Sequence, residues 1–79
     1  MAMKKRSVSI AGHRTSISLE EAFWDELNHF AREDKRSLAS LVAQIDRERM
    51  ATAEPHNLSS ALRLYILQRV KAENTSTHP

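Results

Sequence analysis

The clearest chemical pattern in the chain is a polar strand face near the amino terminus. Small polar and aliphatic residues alternate from residue 7 to residue 19, and side chains two positions apart share one face of a β-strand. One face carries Val8, Ile10, Ile17 and Leu19, and the other carries Ser7, Ser9, Arg14, Ser16 and Ser18. Hydroxyls and a guanidinium without a carboxylate indicate a ribbon that enters a DNA groove. We expect two copies, because one copy of so small a chain could not bury the apolar face.

Arg14 is the best candidate for a base contact, since arginine on guanine is the commonest specific pairing. The alternative is a structural arginine that pairs with a carboxylate such as Asp46. Asp46 falls one turn after Val42 on an expected helix, where an unpaired buried charge would be costly. We therefore expect Asp46 to form a structural ion pair with Arg63 or Arg14, without a catalytic role.

The first nineteen residues carry only positive charge, although the net charge of the whole chain is just +2. The cations are Lys4, Lys5, Arg6 and Arg14. A basic arm of this kind suits an anionic partner. Lys4, Lys5 and Arg6 are therefore expected to contact DNA phosphates without reading sequence, and the alternative is a solvated amino terminus.

No residue pattern indicates an enzyme, a cofactor or a metal site. The four histidines lack metal-ligand spacing, and the chain has no cysteine. No serine lies on a recognisable nucleophile turn, and there is no glycine-rich phosphate loop. Because no apolar run is long enough for a membrane span or a signal peptide, we expect a cytoplasmic protein. With 79 residues, we expect oligomerisation to stabilise it.

The polar face must be positioned by a short ribbon. The first strand is expected from Arg6 to Ala11, and Gly12-His13 fits a two-residue hairpin turn with glycine first. In that register Val8 lies opposite Ile17. The alternative is a flexible arm followed by a single strand over residues 15–19.

Capping residues predict the starts of three helices. Ser18 and Glu21 match a capping box, Ser37 caps the second helix, and Asn57 or Ser59 caps the third. The helices are expected to run to about Glu33, from Leu38 to about Met50, and from Leu58 to about Ala72. The first should bury Phe23, Leu27, Phe30 and Ala31, with Trp24 at the edge. The expected organisation is a disordered arm at 1–5, one domain at 6–72 and a frayed tail at 73–79.

This order of elements resembles the ribbon-helix-helix fold of the Arc and methionine repressors. The segments that carry the resemblance are residues 15–19, 22–31 and 36–42, and Gly12–Ser16, Phe23-Trp24 and Asn57–Arg63 are similar to a small bacterial branch of that superfamily. The expected fold is mostly α with an N-terminal β ribbon and a third C-terminal helix.

The resemblance implies an intertwined homodimer whose ribbon enters the major groove. Arg14, Ser16 and Ser18 would then contact bases. The backbone amides of Ser37, Leu38 and Ala39 would hold a phosphate, since a helix N-terminus is an anion site.

The function implied is a dimeric DNA-binding transcriptional regulator. The alternative is a protein-interaction module that kept the fold without DNA readout, because the reading positions are rich in serine and fold alone does not fix function. In that case the partner would bind the ribbon or the third helix. An antitoxin with a tail that folds on a toxin is a weaker alternative, because the C-terminal segment reads as a packed helix.

Overall fold

The computed structural model describes residues 3–53 and 57–76. The elements in chain order are β1 (Met3–Ile10), β2 (His13–Glu20), α1 (Glu21–Glu33), α2 (Leu38–Met50) and α3 (Leu58–Ser76). The two strands form one antiparallel sheet, and the three helices pack on its apolar face. A β ribbon followed by three helices confirms the expected fold class.

The strands are joined by a two-residue turn within one chain. Its residues are Ala11 and Gly12, with φ of 52° and 83°. Positive φ at both central positions is the requirement of a type I′ turn, whose twist matches that of the strands. The predicted Gly12-His13 turn is therefore wrong by one residue, because the chain places an alanine in the left-handed region.

The strand register differs from the predicted one by two residues. Val8 lies opposite Thr15, whereas the sequence predicted that it faces Ile17. A shift of two residues keeps every side chain on its own face. The predicted division into an apolar and a polar face is therefore confirmed for residues 7–19, because Val8, Ile10, Ile17 and Leu19 are all buried.

The first strand begins earlier than predicted. β1 starts at Met3, so residues 3–5 lie in a strand and not in a disordered arm. The indole Nε1 of Trp24 donates a hydrogen bond of 2.8 Å to the carbonyl oxygen of Lys4. This contact holds the start of β1 against α1. Residues 1 and 2 of the predicted arm lie outside the described residues.

The predicted capping box at Ser18 is wrong. Ser18 belongs to β2, and α1 begins at Glu21 with no side-chain cap on Glu20. Pairing with β1 continues to Glu20, so β2 extends beyond the expected helix start. The cap at Ser37 is confirmed, because its Oγ accepts a hydrogen bond from the amide of Ser40 at 3.0 Å.

The third helix is capped by Asn57, which is one of the two predicted capping residues. The Asn57 side chain accepts a hydrogen bond of 2.8 Å from the amide of Ser60. α3 extends to Ser76, so residues 73–76 of the predicted frayed tail are helical. Residues 77–79 of that tail lie outside the described residues, as do residues 54–56.

The corner between α1 and α2 contains a lysine where a glycine is usual. Lys35 has φ of 55°. The amide of Arg36 donates to the carbonyl of Ala31 at 3.0 Å, and the amide of Lys35 donates to the carbonyl of Arg32 at 3.1 Å. This pair of bonds is a Schellman motif, which satisfies the last carbonyls of α1. The corner is closed without glycine.

One chain buries its own core. The buried side chains are Val8, Ile10, Ile17, Leu19, Trp24, Leu27, Phe30, Ala31, Leu41, Val42, Ile45, Leu62 and Ile66. Trp24 is completely buried and Phe23 only partly, which reverses the predicted order of the two rings. The expectation that a second copy is needed to bury the strands is wrong, because all three helices, α3 included, pack beneath the hairpin.

Arg69 fastens α3 to the end of α1. Its guanidinium donates to both carboxylate oxygens of Asp34, at 2.7 and 2.8 Å, and to the hydroxyl of Tyr65 at 2.6 Å. It also lies over the ring of Phe30, 4.4 Å from the centroid. The hydrogen bond from Arg69 lowers the pKa of Asp34, and the same bond raises the pKa of Arg69. This arginine is structural.

Candidate nucleic-acid interface

The outer face of the hairpin, defined here as the side chains of Lys5, Ser7, Ser9, Arg14, Ser16 and Ser18, is the candidate interface. In the ladder these residues lie opposite each other as Lys5 and Ser18, Ser7 and Ser16, and Ser9 and Arg14. All but Ser18 are exposed, and Ser18 is partly buried. These six side chains are two cations and four hydroxyls. The next pair on the same side of the ladder is Met3 and Glu20, and the Glu20 carboxylate is paired with Arg63.

Arg14 is exposed on this face and is not engaged elsewhere. Within the described part of the chain it has no hydrogen bond, ion pair or ring contact. Its proposed structural partner, Asp46, pairs instead with Arg49 at 2.7 Å, one turn along α2. The predicted pairing of Asp46 with Arg63 or Arg14 is therefore wrong. A local partner on the same helix satisfies that carboxylate.

Arg63 neutralises the carboxylate that is nearest to the outer face. Its guanidinium donates two hydrogen bonds to Glu20, at 2.9 and 3.1 Å, and lies 5.9 Å from the ring centroid of Phe23. A bond from its own backbone amide and the bonds from Arg63 lower the pKa of Glu20. This carboxylate, at the end of β2, is thus balanced and adds no uncompensated negative charge to the ribbon.

The three cations of the predicted arm have different positions. Lys5 points to the outer face, opposite Ser18. Lys4 alternates to the inner side but stays exposed. Arg6 lies on the inner side over the ring of Trp24, 5.6 Å from its centroid. The structure therefore places Lys5 and Arg14 on one surface, at opposite ends of the outer face, and keeps Arg6 away from it.

The start of α2 presents backbone amides. The Ser37 side chain and carbonyl accept from the amides of Ser40 and Leu41, the latter at 3.1 Å. The first-turn amides of Leu38 and Ala39 have no helical acceptor, as in any helix. Arg36 lies alongside, with its guanidinium on the hydroxyl and carbonyl of Ser40. This terminus has the partial positive charge that suits a phosphate.

The edge of β2 that faces away from β1 is met by the start of α3. The hydroxyl of Ser59 donates to the carbonyl oxygen of Ser18 at 3.2 Å. Sequence reasoning missed this bond and the Arg63 pair, because both join residues more than forty positions apart. No local pattern could have indicated them.

Among residues 3–53 and 57–76, no group of three or more histidine, cysteine, aspartate or glutamate side chains could hold a metal ion. No helix in this described part of the chain is long and apolar enough to cross a membrane.

The ribbon-helix-helix domain family matches residues 3–70. The chain belongs to the ribbon-helix-helix family. Members of this family are typically DNA-binding regulators that usually dimerise. The match covers both strands, α1, α2 and most of α3, so the hairpin and the third helix are part of the family domain.

A solved structure shares this architecture. It is an uncharacterized protein from Bordetella pertussis Tohama I, with a TM-score of 0.82 and 28% sequence identity over 99% of this chain. The match covers 63% of that protein's chain, so it has further sequence that the present chain does not match. No curated protein matches the chain.

Proposed function

We propose that this protein is a bacterial, cytoplasmic transcriptional regulator that inserts the outer face of its hairpin into the major groove of DNA. The observation that carries the proposal is the composition of that face. Its side chains are two cations and four hydroxyls, and the neighbouring carboxylate of Glu20 is balanced by Arg63. The major groove is about 12 Å wide and admits a two-stranded ribbon.

In the proposed complex, Arg14 contacts a guanine and the serines make shorter hydrogen bonds to neighbouring bases. Arg14 is suited to this because its planar fork matches two acceptors at once and is not used within the described chain. Ser16 and Ser18 can donate or accept, so they tolerate several bases. Arg14 is therefore the main determinant of specificity in the proposal.

Phosphate contacts would fix the ribbon in the groove. We assign them to Lys4 and to the amides of Leu38 and Ala39 behind the Ser37 cap. Lys4 remains exposed beside the ribbon, and a helix N-terminus attracts phosphate oxygens. Arg6 is left out of this set because it packs over Trp24.

The test is duplex binding measured by fluorescence anisotropy at about 50 mM salt, with a titration to higher salt. We expect binding that weakens steeply with salt as counterions are released. Arg14→Ala should lower affinity by about tenfold or more, the range of one bidentate base contact. Arg32→Ala is the matched control, because Arg32 is an exposed arginine in the last turn of α1.

Two results would contradict the proposal. One is the absence of duplex binding by the folded wild-type protein at low salt. The other is an equal effect of Arg14→Ala and Arg32→Ala, which would mean that the outer face is not the contact surface.

A second candidate function, a protein-interaction module, is favoured by one observation. Leu64 and Leu67 on α3 are 39% and 53% exposed, and with Phe23, Ile66 and Val70 they line an apolar groove. Exposed apolar surface of this kind is typical of protein contacts. If this function is the right one, Leu67→Ser removes partner binding and Arg14→Ala leaves it intact.

A further inference from the structure

We propose that the apolar groove between α1 and α3 is an interface between two copies of this chain, which pack with their α3 helices antiparallel. Phe23, Leu64, Leu67 and Val70 line this α3 groove. The proposal names the occupant that the second candidate function leaves open. It is independent of the proposed DNA contact, because the outer face lies on the hairpin and the groove lies on the helices.

The third helix is apolar on two sides. Leu62 and Ile66 point inward and are buried in the core of their own chain, whereas Leu64 and Leu67 are exposed on another side. A helix that is apolar on more than one side is normally covered on each of them. Because the chain covers only the inner side of α3, its exposed leucines favour contact with a further partner.

The hairpin has no comparable apolar surface to share. Val8, Ile10, Ile17 and Leu19 are buried, and the three helices of the same chain pack on that side of the sheet. Among the described residues, two of the four exposed large apolar side chains lie on α3, three positions apart. Because members of the family usually dimerise, a second copy of the chain is the partner that we assign to α3.

The exposed side of α3 has the spacing of a helix–helix contact. Ser60, Leu64, Leu67 and Lys71, called here the α3 seam, follow one another at steps of four, three and four residues. Alternating steps of this kind keep side chains in one line along a helix, as in a coiled coil. The spacing therefore predicts that a second helix packs along this line.

The α3 seam also indicates the direction of the second helix. Its spacing is the same in both directions, so an antiparallel copy places Leu64 beside Leu67 of the second copy and Ser60 beside Lys71. A parallel pair would place Lys71 beside Lys71 of the second copy, and like charges repel. The antiparallel arrangement avoids this contact and sets a small side chain against a long one.

The surface is complementary to itself in shape. Leu64 and Leu67 form a ridge on α3, and Phe23 on α1 lines the groove beside that ridge. Helices pack by inserting a ridge of one into a groove of the other. In a twofold pair the same patch serves both copies, so each copy supplies the ridge that fills the groove of the other.

The groove is complementary to itself in charge as well. Glu26 lines its α1 side, is partly buried, and has no hydrogen bond or ion pair within the described part of the chain. Arg63 lines the same groove and bonds to Glu20 through Nε and Nη2, which leaves Nη1 without a bond in residues 3–53 and 57–76. A partly buried carboxylate favours a cationic partner. The twofold pair brings Glu26 of each copy to the groove that Arg63 of the other copy enters.

Self-association is tested by analytical ultracentrifugation of the full chain from micromolar to millimolar concentration. We expect the wild-type mass to rise to twice that of one chain. Leu67→Asp should weaken the dimer by about a hundredfold or more, because each dimer loses two leucines from its apolar contact. Met50→Asp is the matched control, since Met50 is an exposed apolar residue at the end of α2 and does not line the groove.

The charge complementarity is tested by reversing one carboxylate. Glu26→Lys should weaken the dimer by up to about fivefold for each of its two Glu26 contacts, the range of an exposed ion pair. Asp25→Lys makes the same change of charge at the neighbouring exposed position of α1, outside the groove, and should have no such effect. Equal effects of the two variants would overturn the assignment of Glu26 to the interface.

The direction of the helices is tested by cross-linking, because the chain has no cysteine of its own. Ser60→Cys and Lys71→Cys are prepared separately and treated with a short bismaleimide, alone and mixed. In the antiparallel pair, position 60 of one copy lies beside position 71 of the other, so we expect a cross-linked dimer only in the mixture. A dimer that forms from each variant alone would show a parallel pair and overturn the arrangement.

Two further results would overturn the proposal. One is a wild-type protein that stays monomeric over the whole concentration range. The other is a dimer that Leu67→Asp does not weaken, which would mean that the copies meet through another surface. If circular dichroism shows that Leu67→Asp is unfolded, the comparison of Glu26→Lys with Asp25→Lys decides. The duplex-binding test with Arg14→Ala reports on the proposed function separately.

Discussion

The outer face of the hairpin and the Arg69 contact between α1 and α3 are both centred on arginine, yet they differ in how the charge is used. Arg69 has two carboxylate bonds, a hydroxyl and an aromatic ring around one guanidinium. Arg14 has none of these within the described chain. The contacts that a cation makes, and not its presence alone, therefore separate a structural arginine from a candidate for binding.

Arg6 shows that proximity in sequence does not decide this difference. It is adjacent to Lys5 but lies on the opposite side of the strand, over Trp24. The alternation of a strand therefore divides one basic cluster into a residue that stabilises the fold and a residue that remains available to a ligand.

The largest effect in this comparison is expected from Arg69→Met. The change keeps part of the packing on Phe30 but removes the bonds to Asp34 and Tyr65. We expect the free energy of unfolding to fall, because the carboxylate and hydroxyl contacts of one guanidinium are lost together. Thermal denaturation measures it. DNA affinity of the folded protein should not change, and an effect on affinity equal to that of Arg14→Ala would contradict the comparison.

A smaller loss is expected from Trp24→Phe. The variant keeps an aromatic ring in the core and removes the indole bond to the carbonyl of Lys4. We expect a loss of about 1–2 kcal/mol in denaturant unfolding, from the lost hydrogen bond and the smaller ring. Phe23→Leu is the control, because Phe23 is only partly buried. Equal losses in the two variants would contradict the finding that Trp24 is more deeply buried than Phe23.

Ala11→Asn should stabilise the protein by about 0.5–1 kcal/mol. Ala11 has positive φ in a type I′ turn, where asparagine followed by glycine is preferred. The midpoint of thermal unfolding should rise, and Gly12→Ala at the neighbouring position should lower it, since Gly12 has φ of 83°. Neither turn residue belongs to the outer face or to the Arg69 contact, so DNA affinity should be unchanged. A destabilising Ala11→Asn would show that the turn is not type I′.

The smallest expected effect is a loss of folding stability at acidic pH. The pKa values of Asp34 and Glu20 lie below their ordinary values of 3.8 and 4.5, because arginine and amide hydrogen bonds favour their charged forms. A carboxyl group whose pKa is lowered by folding stabilises the folded state above its unfolded pKa. That stability is lost as the pH falls below about 4.5 and through the folded pKa values.

The acid effect can be assigned to the Arg69 contact by substitution. Asp34→Asn should flatten the dependence of the unfolding midpoint on pH between about pH 5 and pH 3. Asp25→Asn, at an exposed position of α1, should leave the slope unchanged. If the two variants have the same slope, the bond between Asp34 and Arg69 does not contribute.

The local features of the fold could be predicted from the sequence. The bounds of α2 and the cap at Ser37 are confirmed residue by residue, because a cap bonds to an amide only three positions away. The alternation of strand faces is also confirmed, because it depends only on neighbouring residues of one strand. The turn was wrong by one residue because glycine was expected to take the first left-handed position, which Ala11 occupies.

The features that depend on distant residues could not be predicted. The ladder extends β2 to Glu20 and so removes Ser18 from its expected cap. Glu20 and Arg63 meet only because α3 crosses the end of the hairpin.

The Ala11-Gly12 turn has a consequence for how the ribbon forms after synthesis. A hairpin closed by two residues forms by an intramolecular reaction, on a timescale of about 1–10 μs in isolation. Its rate does not depend on how many copies are present. A newly made molecule therefore assembles its own ribbon without first meeting another, and dilution to a few molecules per cell does not take that ribbon apart.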